Sequence, residues 1–179
     1  MINFQHFQSF MAKTDATTTT AVSTDKQAPG LPDIPVDAPV LQDGYSHRPK
    51  VEKEILDLLV GRSPCVGNCI SAYGMGGAGK TCITSQVIRT NIEVREKFND
   101  GIAWIAMSQK PKIRHLQRRM HFQLLREHLP KDKHGLEGEQ HLYIAQALRN
   151  STILIVIDGR DDLSTNSHFD WQNSFADCW

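Results

Sequence analysis

Residues 74–81 have the types and the spacing needed to hold a phosphate group. They read Gly-Met-Gly-Gly-Ala-Gly-Lys-Thr, which fits the pattern G-x-x-x-x-G-K-[ST] in full. Glycines let the backbone amides of such a loop turn inward around an anion. In this pattern the ammonium of Lys80 meets the β- and γ-phosphates of a nucleotide, and the hydroxyl of Thr81 is a ligand for Mg²⁺. We expect the side chain of Met75 to pack beneath the loop.

The elements on either side of the loop fit this interpretation. The mostly apolar run 66–73 predicts a buried strand. Ile83, Val87 and Ile88 predict the core face of a helix that extends to about residue 91. Such a helix presents its free N–H groups and the positive end of its dipole to the anion.

An acidic residue follows the most apolar strand of the sequence. Residues 152–157 read Thr-Ile-Leu-Ile-Val-Ile, which is apolar on both faces and typical of a parallel strand covered by helices on both sides. Asp158 then stands at the carboxyl end of that strand, where ligands of parallel sheets bind. Asp158 is therefore a candidate for holding Mg²⁺, directly or through water.

The remaining pattern alternates helices with strands. A turn at 99–101 introduces a second strand, 102–107. Apolar residues at helical spacing predict three further helices, at 51–59, 113–125 and 142–148. The sequence therefore predicts an α/β fold with a mostly parallel sheet.

Composition excludes several classes of function. The 20 basic and 20 acidic residues cancel, so net charge provides no attraction to nucleic acid or to an anionic membrane. The N-terminus lacks a signal peptide, and no run of residues is apolar and long enough for a membrane span. The four cysteines lack the spacing of a zinc or redox site, and Cys69 and Cys82 fall where a buried thiol is ordinary. We expect a reducing, cytoplasmic location.

The two ends of the chain have a different character from the middle. Residues 12–39 are rich in threonine and proline and poor in large apolar side chains, which predicts disorder. We expect a disordered leader at 1–39, a nucleotide-binding domain at 40–163 and an irregular tail at 164–179.

Three segments together resemble the NB-ARC domain, a P-loop NTPase of the STAND class found in plant disease-resistance receptors and animal apoptosome-forming proteins. They are the loop at 74–81, the segment 94–104 with its Phe-Asn-Asp-Gly-Ile-Ala-Trp ending, and the strand that ends at Asp158. The resemblance implies a three-layer fold and an ADP- or ATP-binding switch that acts in signalling with Mg²⁺ at Thr81 and Asp158. It implies nucleotide contacts from Arg48 and from Gly74, Met75, Gly76, Gly77, Ala78, Gly79, Lys80, Thr81 and Cys82.

Two positions depart from the pattern of that family. His47 stands where the family has a glycine before the arginine that contacts the nucleotide base, here Arg48. The family has a second acid after the one that serves Mg²⁺, and this chain has Gly159. Asp161 and Asp162 lie nearby in a different register and are weak candidates for a catalytic role. The resemblance therefore implies slow ATPase activity at most.

The resemblance also implies that later parts of the family domain are missing. The chain has 179 residues, and the strand that would follow the Asp158 strand, the sensor arginine and the closing subdomains have no counterpart in it. That strand lies in the middle of the family's sheet. We therefore expect the isolated sheet to be marginally stable.

Two other functions remain open at this point. A small P-loop ATPase or kinase would share the phosphate loop but needs a catalytic acid or arginine. A protein that binds no nucleotide could act through the basic stretch 110–133, which is otherwise the solvated face of a helix. His115, His121 and His128 lie on or near that helix without the further ligands of a metal site. Trp104 is expected in the core, and protein partners are expected but not identified.

Overall fold

The computed structural model describes residues 30–41, 43–63, 70, 72, 74–108, 112–130 and 137–159. Most of the predicted strand 66–73, the leader up to residue 29 and the tail from residue 160 lie outside these ranges. The elements follow in the order α1 Pro49–Val60, α2 Lys80–Thr90, α3 Ile92–Lys97, β1 Gly101–Ala106, α4 Ile113–Leu125, α5 Glu137–Ala147 and β2 Ile153–Asp158.

The two strands pair in parallel, in a register that sets Gly101 opposite Ile153 and Ala106 opposite Asp158. Their starting ends are joined further by Asp100, whose carboxylate accepts a hydrogen bond of 2.6 Å from the amide of Thr152. Parallel pairing, with helices between the strands along the chain, confirms the predicted α/β class.

Helices cover both faces of the sheet. Ile102 and Trp104 point to one face, where they pack with residues of α1, α2 and α3. Ala103 and Ile105 point to the other, where they pack with residues of α4 and α5. The alternation along β1 divides the core into two layers of side chains. Trp104 is 1% exposed, which confirms its predicted place in the core.

Local chemistry explains where the helices begin and end. Pro49 is at the first position of α1, where its missing N–H would have no partner in any case. Gly61 ends the same helix in the left-handed conformation, with φ of 81°. The short helix α3 was not predicted, because its six residues include too few apolar side chains to give a period.

The proline-rich segment before α1 differs from the expectation of disorder. We call residues 32–39 the strap. Within it Pro35 and Ala38 are buried, and Ala38 belongs to the same core as α1 and α2. The prediction of a disordered leader was therefore wrong for residues 30–39. The strap has few large apolar side chains, and polar side chains of the helices hold it in place.

Gly101 supplies a test of the packing between β1 and α4. A Cβ added there would lie 2.9 Å from Leu124 Cδ2, and the φ of 153° is unfavourable for other residues. We expect Gly101→Ala to lower the free energy of unfolding by about 1–3 kcal/mol, as overpacking does. Urea denaturation measures it. Gly30→Ala is the control, because its Cβ would meet nothing within 4 Å. Equal stability of Gly101→Ala and the natural chain would contradict the packing.

Candidate phosphate-binding site

The glycine-rich loop turns back on itself before α2. The amide of Ala78 donates a hydrogen bond of 3.1 Å to the carbonyl of Met75. Gly77 and Gly79 have φ of 77° and 83°, the left-handed region where a residue with a Cβ is strained. The glycines of the motif therefore stand where the turn needs them.

The helix that follows begins directly after the loop, at Lys80. The first intrahelical bond runs from the amide of Ile83 to the carbonyl of Gly79 at 2.9 Å. The amides of Thr81 and Cys82 precede it, and an α-helix supplies no carbonyl of its own to its first amides. Together with the helix dipole, such amides favour an anion at this end of α2.

The side chain of Lys80 lies over the loop. Its ammonium donates hydrogen bonds to the carbonyls of Gly74 at 2.7 Å and Met75 at 3.2 Å. A positive charge held at this place meets any anion that enters the loop. Phosphate oxygens would replace the two carbonyls as acceptors.

Two oxygen-bearing side chains meet at the carboxyl end of β2. The hydroxyl of Thr81 donates a hydrogen bond of 2.7 Å to Asp158 Oδ1, although the residues are 77 positions apart. Asp158 is also the last residue of its strand, and its carbonyl accepts from the amide of Met107 at 2.8 Å. A hydroxyl and a carboxylate beside a phosphate loop are the protein ligands that Mg²⁺ takes in such sites, with phosphates and water as the rest. The residues present therefore fit the ion.

Arg48 reaches the loop from the start of α1. Its Nη1 donates a hydrogen bond of 2.8 Å to the carbonyl of Ala78. The structure thus joins Arg48 to the phosphate loop, 30 residues further along the chain. The predicted contact of Arg48 with a nucleotide base stays a prediction.

Glu52 holds the backbone and the neighbours of Arg48. One carboxylate oxygen of Glu52 accepts hydrogen bonds of 2.9 Å from the amide of Arg48 and from the hydroxyl of Tyr45. His47 Nδ1 lies 3.5 Å from the other oxygen. Sequence reasoning missed Glu52. Its position in the first turn of a predicted helix, four residues after Arg48, could have identified it. Acids near helix starts commonly accept hydrogen bonds from the first backbone amides.

This arrangement shifts two pKa values in opposite directions. Burial and the hydrogen bond to Glu52 raise the pKa of Tyr45 to about 12. Burial alone would raise the pKa of Glu52 as well. The hydrogen bonds from Arg48, Tyr45 and His47 outweigh it and lower the pKa of Glu52 below its ordinary value.

Two expectations about side chains of the site were wrong. Met75 is 84% exposed and does not pack beneath the loop, because the turn at 75–78 directs it away from the core. Cys82 is exposed and not buried, since it lies in the first turn of α2 while the core face carries Ile83 and Val87.

The catalytic candidates Asp161 and Asp162 lie outside the described residues. Gly159 is described and exposed, so the position of the family's second acid carries no side chain.

Within the described residues, no three His, Cys, Asp or Glu side chains form a group that could hold a metal ion. His121 is buried with Nδ1 2.9 Å from the carbonyl of Glu127, whereas His128 is exposed and stacks on Phe122. None of the helices in the described parts is both long enough and apolar enough to cross a bilayer.

Comparison with known proteins identifies the family of the chain. The sequence model of the NB-ARC domain matches residues 49–173, more than half of the chain, and the chain belongs to that family. The family binds nucleotides. No solved structure matches the chain.

Plant proteins are among its relatives. Disease resistance RPP8-like protein 3 of Arabidopsis thaliana is 34% identical over 93 residues, which is 50% of this chain and 10% of that protein. Disease resistance protein RPP8 of the same plant is 33% identical over 109 residues, or 59% of this chain and 11% of that protein. The chain thus spans about a tenth of the length of these relatives.

The raised pKa of Tyr45 predicts a loss of stability in alkali. A group whose pKa is higher in the folded state contributes its full stability below the unfolded value, about 10, and loses it as pH rises through about 12. We expect the free energy of unfolding to fall more steeply between these two pH values in the natural chain than in Tyr45→Phe. Urea denaturation across that range measures the difference. Parallel curves would contradict the Tyr45–Glu52 contact.

Proposed function

We propose that this chain is the phosphate-holding part of an NB-ARC molecular switch that binds ADP or ATP with Mg²⁺. One observation carries the proposal. The Lys80 ammonium, the first amides of α2 and the Thr81–Asp158 pair converge on one end of the parallel sheet. An ammonium and amides suit a polyphosphate, and the oxygen pair suits its cation.

The contacts of the site suggest how a nucleotide would change its shape. Lys80 is bonded to loop carbonyls, and Thr81 is bonded to Asp158. A bound nucleotide would exchange the first contact for phosphate oxygens, and Mg²⁺ would come between the second pair. A ligand shifts a conformational equilibrium by its difference in affinity for the two states. These exchanges supply such a difference.

Binding is better supported than turnover. Phosphoryl transfer needs a group that positions the attacking water or hydroxyl. Gly159 stands where the family has the second acid, so hydrolysis by this site would be slow at most. This departure disfavours the rival interpretation of a small P-loop ATPase or kinase.

The relatives suggest the setting in which the switch acts. The names of the plant relatives describe disease-resistance proteins. By analogy we propose that this chain belongs to a signalling protein of the immune-receptor type and acts in the cytoplasm through protein partners.

Removing the Lys80 ammonium tests the phosphate site. Losing a charge-assisted hydrogen bond costs about 1.5–3 kcal/mol, which is about 10-fold to 100-fold in affinity. We therefore expect Lys80→Ala to weaken ADP binding by that factor in isothermal titration calorimetry. Lys53→Ala is the matched control, because its side chain is 73% exposed on α1 and, among the described residues, pairs with Asp57. Unchanged ADP affinity in Lys80→Ala would contradict the proposal.

A pair of substitutions at Thr81 tests the cation. Thr81→Val keeps the shape of the side chain and removes the hydroxyl, whereas Thr81→Ser keeps the hydroxyl. We expect Mg²⁺ to tighten ATP binding in the natural chain and in Thr81→Ser, and to have little effect in Thr81→Val. Calorimetry with Mg²⁺ and with a chelator measures both. A Mg²⁺ effect of equal size in all three proteins would place the cation elsewhere.

A further inference from the structure

The strap is held by side chains from three helices. On α2, Ser85 and Arg89 donate to the carbonyl of Pro39 at 2.6 and 3.1 Å, and Arg89 also donates to the carbonyl of Ala38 at 2.6 Å. Ser85 itself is fully buried. On α3, Arg95 donates to the carbonyl of Pro32 at 3.0 Å. The backbone of the strap is therefore bound at both of its ends.

Two arginines, one within α4 and one at its C-cap, form ion pairs with the aspartates of the strap. Arg126 Nη2 lies 3.0 Å from Asp33 Oδ2, and Arg119 Nη2 lies 2.6 Å from Asp37 Oδ1. The two aspartates are four residues apart, on either side of the buried Pro35. Arg119 and Arg126 belong to the basic stretch 110–133. From the sequence, that stretch could be either the solvated face of a helix or a surface for a partner. In the structure they serve a partner surface, and the partner is a segment of the same chain.

The same contacts close one edge of the sheet. Gln123 on α4 pairs with both backbone groups of Trp104, accepting from its amide at 2.6 Å and donating to its carbonyl at 3.0 Å. The side-chain amide of Gln123 also donates to Asp37 Oδ2 at 2.5 Å. Gln123 thus takes the place of a neighbouring strand beside β1, and Asp37 holds it there.

Proline explains why a side chain is needed at this edge. Pro32, Pro35 and Pro39 have no backbone N–H, so the strap cannot pair with β1 as a regular strand. An open strand edge otherwise invites another chain to pair with it.

We propose that Ser85, Arg89, Arg95, Arg119, Gln123 and Arg126 form a docking surface for a proline-containing segment with two aspartates four residues apart. In this chain residues 32–39 fill that surface, and their docking closes the outer edge of β1. The proposal is independent of nucleotide binding, because none of these side chains belongs to the phosphate site.

Hydrogen exchange at Trp104, measured on the full chain, tests the closed edge. We expect Asp37→Ala and the milder Asp37→Asn to speed exchange of the Trp104 amide by about tenfold or more, since each weakens the support of Gln123. Arg119→Ala should act in the same direction from the other side of the ion pair. Asp43→Ala, at an exposed aspartate beyond the strap, should leave the rate unchanged. Unchanged exchange in the Asp37 and Arg119 variants would overturn the proposal.

A synthetic peptide tests the partner that the surface fits. Added to Asp33→Ala/Asp37→Ala, a peptide of residues 30–41 should restore slow exchange at Trp104, and the same peptide with asparagine at both positions should not. Restoration by both peptides, or by neither, would refute the role of the aspartates. Protection in the natural chain should not change on dilution, and loss on dilution would mean that the strap comes from a second copy.

Discussion

The first amides of α2 are the feature on which the site depends. A helix cannot satisfy its own first N–H groups, and here a tight glycine turn leads the chain directly into the helix. Lys80 adds a full charge at the same place, and its contacts with the loop hold that charge over the opening. The rest of the fold positions this helix end. α2 packs on the sheet through Ile83 and Val87, and β2 delivers Asp158 to Thr81.

The parts of the molecule that follow from local rules could be predicted from the sequence. Helical spacing located α1, α2 and α4, and the apolar run before Asp158 located β2, since burial on both faces leaves a plain pattern. The loop could be predicted because each residue of its motif meets a separate physical demand. The meeting of Thr81 with Asp158 follows from the rule that parallel strands bring their carboxyl ends to one edge.

The contacts that sequence reasoning missed are those without a local cause. The strap is joined to its helices by hydrogen bonds between residues 46–93 positions apart, and no period or composition marks such partners. The composition of the strap indicated disorder and not an ordered segment, because prolines and a lack of large apolar groups usually mean disorder. The exposure of Met75 was missed for a related reason. A residue within a turn has no periodicity from which its direction can be read.

Nuclear magnetic resonance can show whether a polyphosphate binds at the start of α2. In a titration of the labelled chain with ADP and Mg²⁺, amide chemical shifts would report which backbone groups meet the ligand. We expect the largest changes on residues 77–82, with smaller ones at Asp158. Saturable changes elsewhere in the chain, with residues 77–82 unmoved, would contradict it.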